Sequence, residues 1–174
     1  LGILNLTPDS FSDGGKYNTK KKGTHHAVNL IKSGADLIDV GGESTRPGSK
    51  AISESLEWKR ISKILKLLIK KKIPLSLDTR KSNIMEKGIN HGVYLINDVS
   101  GLDFDVNTIS ILKKYKVPFV IQHTKGLPEN MQKKPNYKNV LLDIYDFFED
   151  KIKFVRSKGI RHNNIILDPG IGFG

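Results

Sequence analysis

The sequence predicts an α/β fold, a TIM (β/α)8 barrel in which a parallel sheet is wrapped by helices, with about six of its eight βα units present. Three observations carry this. Short apolar runs alternate with longer amphipathic segments, the pattern of successive strand–helix units. No short repeat, low-complexity stretch or linker interrupts the alternation, so residues 1–174 read as one domain. The unusual polar residues sit where the apolar runs end, as they do around a barrel mouth.

The apolar runs are Gly2–Leu4, Asp36–Val40, Ile73–Leu77, Val93–Ile96, Val117–Ile121 and Asn164–Leu167. Each is too short for a helix and is bounded by turn residues or charge. Between them, Trp58, Ile61, Leu65 and Leu68 recur at helical steps, and so do Leu141, Tyr145, Phe148, Ile152 and Val155. Ser33-Gly34 closes the first helix, Ser53 with Glu54 opens the second, and Lys70 to Pro74 ends it with cations near its negative pole. Six units of about 30 residues need roughly 60 to 80 more to reach the usual barrel of about 250. The chain opens without Met in an apolar run and stops inside the glycine-rich loop Asp168–Gly174, so the expectation is a barrel domain truncated after strand six. The alternative is an open doubly wound sheet, which gathers polar groups only near its switch point. Asn5, Gly41 to Arg46, Asp78 to Arg80, Asn97 to Ser100, Gln122 to Thr124 and Asp168 to Gly174 instead follow or close all six runs.

Lys and Arg number 29 against 18 Asp and Glu, a net charge of +11, but 24 of the cations are Lys dispersed through helix-like segments. Solvated basic faces explain this better than a nucleic-acid site, which would also need a stacking array of aromatics. The absence of Cys fits a reducing compartment without a disulfide framework. No apolar run approaches the roughly 18 residues of a membrane span, and no charged segment precedes the first apolar run as in a secretory signal. A cytoplasmic protein that acts neither on nucleic acid nor in a membrane is expected.

Three segments carry candidate chemistry. The first loop, Asn5 to Gly15, is small and polar with one aromatic, Phe11; Asn5 at the strand end is an amide that can ligate a hard cation. An ordinary surface connection is the plain alternative. The second loop, Gly41 to Gly48, sets two glycines, Ser44 and Thr45 before Arg46-Pro47. Such a loop suits phosphate, since the guanidinium fork matches phosphate oxygens, although a glycine-rich helix cap would have similar composition. The third set is Asp78, Asn97, Asp98 and Asp168, from three strand ends. A carboxylate desolvated among apolar strand residues needs hydrogen bonds, and a planar ligand with an N–C–N edge would supply two; each of these residues alone could equally be a helix cap. His25 and His26 read as solvated, His91 as a helix end, and His123 as either a site-lining or a structural residue. Zinc hydrolysis and acyl transfer have no motif here.

The segments Gly2 to Gly15, Gly41 to Gly48 and Asp168 to Gly174 resemble, in order, three signatures of the dihydropteroate synthase family of the folate pathway. Leu77 to Arg80, Ile96 to Gly101 and Met131-Gln132 also fall where that family has counterparts. The resemblance implies a transferase that joins p-aminobenzoate to 6-hydroxymethyl-7,8-dihydropterin diphosphate, releasing diphosphate with Mg²⁺ assistance. It implies Arg46, Asp78, Asn97 and Asp168 as the catalytic set, with Asp168 gripping the pterin's amino-pyrimidine edge and Val99 flanking the ring. Asn5 would take the Mg²⁺-diphosphate, Thr45 and Arg46 the diphosphate, and Phe11, Pro47, Gly172 and Phe173 the p-aminobenzoate side. A homodimer is implied for the full-length enzyme. One departure stands out: the family often has Met before the histidine that follows strand five, and Gln122 occupies that place. The family's later Lys, Arg and His lie past Gly174. A pterin-dependent methyltransferase of the same barrel type is the runner-up; it would share the pterin-side Asp and Asn but would need neither Thr45-Arg46 nor the Phe11 loop. A non-catalytic basic binding protein is motivated only by the net charge.

Overall fold

A computed structural model describes residues 1–7, 20–45, 49–125 and 136–173. Its strands are β1 (Gly2–Asn5), β2 (Ile38–Gly41), β3 (Leu75–Asp78), β4 (Leu95–Asp98), β5 (Phe119–Gln122) and β6 (Ile165–Asp168). The helices are α1 (Lys20–Lys32), α2 (Glu54–Lys70), α3 (Ser82–His91), α4 (Thr108–Tyr115) and α5 (Val140–Ser157). The six strands form one sheet in chain order, every neighbouring pair parallel. A doubly wound sheet reverses its strand order at a switch point, and this sheet does not. Among the described residues β1 and β6 each have one neighbour, so the architecture is an incomplete (β/α)8 barrel.

Most strands run one or two residues further toward the C-terminus than their apolar runs do. The reason is that a polar residue closes five of the strands, Asn5, Asp78, Asp98, Gln122 and Asp168 being ladder members, and Gly41 closes β2. A reading that stops at the first polar residue ends a strand one step early, and β4, which closes on Asn97-Asp98, two steps early.

Side chains alternate across the sheet. Leu4, Ile38, Val40, Leu75, Leu77, Ile96, Phe119 and Ile121 point outward and are buried under helix residues such as Ala27, Ile61, Leu65, Leu68, Ile84, Met85 and Leu112. Each such side chain contributes about 1.5 to 3 kcal/mol by leaving water. The α2 stripe is buried as its period implies, and Ser53 caps the helix by accepting from Leu56 N–H at 3.3 Å. The α5 stripe is only half covered: Val155 is buried, whereas Leu141 and Tyr145 are exposed. Asn139 nevertheless fixes the start of α5, its Oδ1 accepting from Leu141 and Leu142 N–H. Among the described residues no helix is long and apolar enough to cross a membrane.

Candidate active site

The inner face of the sheet carries the polar ring. Asn5, Gly41, Asp78 and Asn97 are in register across β1 to β4, and Gln122 pairs with Asp168 across β5 and β6. Asn97 pairs with Val120, so the last two residues stand one inner-face step higher, the stagger expected of a barrel. All the strand ends thus open on one mouth, bringing Asn5, Asp78, Asn97 and Asp168 to a common face.

Gly41 makes room within this ring. A Cβ built on it would lie 3.0 Å from Asn5 Oδ1 and 3.1 Å from Asp78 Oδ2, so the two oxygens converge above the bare backbone. Below Gly41 on the same face, Asp39 is buried and its Oδ2 accepts from Asn97 Nδ2 at 3.0 Å. Burial pushes the Asp39 carboxyl above its ordinary range, against the pull of its hydrogen bonds. Burial also raises Asp78 well above that range, and the negative charges of Asp39, Glu57, Asp98 and Glu43 add to the push. A cationic or strongly hydrogen-bonding ligand is what such a pair lacks. Sequence reasoning missed Asp39; its signal was a lone charge inside the apolar strand Ile38-Asp39-Val40, untenable without a partner.

Asp168 is shaped by the turn that follows. Its Oδ1 accepts from Gly170 N–H at 2.8 Å, and Gly170 has φ +67°, with a hypothetical Cβ only 1.9 Å from His123 O, so no other residue fits. His123 N–H donates to Asp168 O, while Thr124 Oγ1 and Lys125 N–H donate to Phe173 O, clasping the loop through Gly172 and Phe173 to the end of β5. His123 itself is structural. It lies on the helix side, buried, with its ring edge-on to Phe147 at 5.0 Å, and burial holds it below its ordinary pKa. Asp98 is likewise outside the ring. It is fully buried on the helix side, and its Oδ1 accepts from Ser100 N–H and Oγ, fixing the turn that carries Val99.

The base of the second loop is held by a buried ion network. Glu43 accepts from Ile52 N–H at 2.9 Å and Arg80 Nε at 3.0 Å, and pairs with Lys81 Nζ at 3.1 Å. Lys81 also pairs with Glu57, which accepts from Thr79 Oγ1 at 2.6 Å. The Arg80 guanidinium lies 4.0 Å above the Phe104 ring. Arg60 donates to Gly42 O and Ser49 to Ser44 O, so the loop is tied to α2 and to itself on either side of half-buried Thr45. Glu43, Arg80 and Lys81 had no anticipated role. Phe11, Arg46, Pro47 and the Met131-Gln132 pair lie outside the described residues.

Parallel strands in chain order, with amides and carboxylates gathered at the C-terminal mouth, define a (β/α)8-type barrel whose polar mouth is the place such folds use for ligands. The family model described as pterin binding enzyme matches residues 1–174, and the chain belongs to that family. It is 43% identical to a dihydropteroate synthase of Clostridium beijerinckii, covering all of this chain and 62% of that one, and 40% identical to that of Bacillus subtilis, covering 99% and 59%. Among solved structures, dihydropteroate synthase of Yersinia pestis in a sulfonamide drug complex superposes with TM-score 0.94 at 40% identity, over 99% of this chain and 62% of that one. The Burkholderia cenocepacia enzyme complexed with 7,8-dihydropteroate superposes with TM-score 0.85 at 33% identity, over 99% and 58%. The chain therefore spans about 60% of the length of these relatives.

Proposed function

We propose that this chain carries the pterin side and part of the diphosphate side of a dihydropteroate synthase, condensing 6-hydroxymethyl-7,8-dihydropterin diphosphate with p-aminobenzoate in folate biosynthesis. The observation that carries the reading is the inner-face ring of Asp78, Asn97 and Asp168, set in the fold of relatives whose structures hold 7,8-dihydropteroate. Those relatives are synthases, which favours condensation over methyl transfer.

Asp168 would accept from the amino and ring N–H groups of the pterin, and Asn97, steadied by Asp39, would meet the ring beside it. The methylene–oxygen bond breaks with its electron pair leaving on diphosphate. The amine lone pair of p-aminobenzoate then forms the carbon–nitrogen bond, and the spare amine proton passes to solvent. Positive charge spread over the ring in between would offset the carboxylate repulsion that pushes Asp78 up, so the site favours the charged transition state over the neutral substrate. Thr45 and Arg46 would hold the departing diphosphate, and Phe11, Pro47, Gly172 and Phe173 would flank the amine. Val99, in the turn after β4, would border the pterin.

Any metal ion here would depend on the oxygen donors at the mouth. Among the described residues no group of three or more His, Cys, Asp or Glu could hold one, yet Asn5 Oδ1 beside Asp78 Oδ2 offers hard oxygen. That fits a Mg²⁺ held mainly by water and diphosphate with Asn5 as its protein ligand; when bound, it would neutralise leaving-group charge. A cytoplasmic homodimer belongs to the same reading. The test is incubation of the full-length protein to which this chain belongs with pterin diphosphate and labelled p-aminobenzoate. Dihydropteroate and diphosphate should form in equal amounts; methyl transfer from methyltetrahydrofolate to a corrinoid, with no condensation, would overturn the reading.

A further inference from the structure

Among the described residues, an amide donor on the inner face serves no protein group. Gln122 closes β5 directly opposite Asp168 in the β5–β6 register, and residues paired across a parallel ladder share a face. The loop after β6 joins the two again. A Cβ built on Gly170 would lie 3.4 Å from Gln122 Cγ, and Gly170 N–H donates to Asp168 Oδ1. Gln122 is only 3% exposed, and its Nε2 is buried without a hydrogen-bond partner among the described residues. Such an orphaned donor is costly to bury, and its persistence at a binding site points to a ligand acceptor.

We propose that Gln122 Nε2 donates to a ring carbonyl oxygen of the bound heterocycle, adjacent to the N–C–N edge that Asp168 grips. The inference rests on the pterin reading and deepens it. A 2-amino-4-oxo-pyrimidine ring presents along one edge an amino group, a ring N–H and a carbonyl oxygen: donor, donor, acceptor. A carboxylate satisfies the first two and an amide N–H₂ the third, and Asp168 and Gln122 offer acceptor and donor side by side. The methionine that the resemblance leads one to expect here has no donor. Gln122 is thereby a specificity-determining residue, selecting a 4-oxo ring over one whose fourth substituent cannot accept.

The test is a double cycle by calorimetry on the full chain. Wild type and Gln122→Met are each titrated with 6-hydroxymethyl-7,8-dihydropterin and with its 4-thioxo counterpart, which keeps the amino and N–H groups but replaces oxygen by a weakly accepting sulfur. Gln122→Met should weaken the oxo ligand about tenfold and the thioxo ligand less than about twofold. Equal losses would mean that Gln122 only packs, and would overturn the assignment. The wild type alone gives an independent check: it should prefer the oxo ligand by about fivefold or more, and a ratio near one overturns the assignment even if the variant does not fold. A wild type that binds neither pterin while remaining folded would instead overturn the pterin reading, and this inference with it.

Discussion

Asn97 on β4 donates its side-chain N–H₂ to Asp39 on β2 at 3.0 Å, although β3 lies between the two strands. In a closed or closing barrel, inward side chains of alternate strands meet in one layer, and this bond is such a contact. It has a directional consequence. With Nδ2 committed to a buried carboxylate, the Asn97 amide cannot flip without leaving Asp39 unpaired, so its Oδ1 is presented to the site as an acceptor.

Asp39 is therefore a positioning residue. Asp39→Ala leaves Asn97 Nδ2 without a partner, at about 1 to 3 kcal/mol, and frees the amide to rotate. Pterin affinity measured by calorimetry should fall about tenfold, and Asp39→Asn, which keeps an acceptor oxygen, should recover most of the loss. An Asp39→Ala protein that binds pterin as well as wild type would show that Asn97 is held by other means.

Asp168 should be the main anchor of the heterocycle, because its Oδ1 is fixed by Gly170 N–H while its strand register places it beside Gln122. Asp168→Asn keeps the shape but removes the charge and half of the acceptor capacity. The expected cost is about 1.5 to 3 kcal/mol of binding, at least tenfold in Kd. Titration with dihydropterin at fixed salt checks it; an unchanged Kd would assign the anchor elsewhere.

The parts legible in the sequence were those that repeat or stand out locally. Strand–helix alternation identified the barrel units, and the polar residues ending the runs located the mouth. Asp78, Asn97 and Asp168 could be assigned to the mouth, where the strand register gathers them, because each interrupts an apolar run at its end. What remained hidden depends on distant pairing. Asp39 looks like a strand residue until Asn97, 58 positions later, is folded against it. Glu43 and Arg80, 37 positions apart, looked like loop polarity until folding brought them to 3.0 Å. Asp98 and Asn97 are adjacent in sequence, and only strand parity sends one to the core and the other to the site.

Glu43 should be the structural keystone of the second loop. It meets Arg80, Lys81 and Ile52 N–H at once, with every charged side chain in the set nearly buried. Against the upward push of burial, these partners hold its carboxyl below its ordinary value. A depressed folded-state value contributes stability that is present above the unfolded value and is lost as pH falls through the folded one. Glu43→Gln keeps an acceptor for Ile52 but leaves cations underpaired, so it should cost about 3 kcal/mol of unfolding free energy at neutral pH. The penalty should shrink as pH falls below the ordinary glutamate value of 4.5 and on through the depressed folded value, where the wild-type carboxylate is itself protonated. A penalty independent of pH in urea unfolding would contradict the ionic role.

Asp98 should act on stability with the opposite sign. Burial pushes its carboxyl up to about 6, against hydrogen bonds from Ser100 and the charge of Arg80, and its Oδ2 has no partner among the described residues. Between the unfolded value of 3.8 and about 6 the folded protein holds a proton that the unfolded chain has lost. Native protein then binds more protons than unfolded protein, so stability falls as pH rises through this window. The shift corresponds to a loss on the order of 3 kcal/mol between pH 4 and 7. Asp98→Asn cannot ionise, while its Oδ1 can still accept from Ser100 N–H and Oγ. Urea unfolding of wild type and variant at pH 4, 5, 6 and 7 isolates the effect from the other titrating groups, because only the difference between the two proteins is used. The variant should gain steadily on the wild type as pH rises and be the more stable of the two at pH 7. A difference that stays flat from pH 4 to 7 would mean that Asp98 is ionised in the folded protein throughout and that its buried Oδ2 is served by a group such as an ordered water.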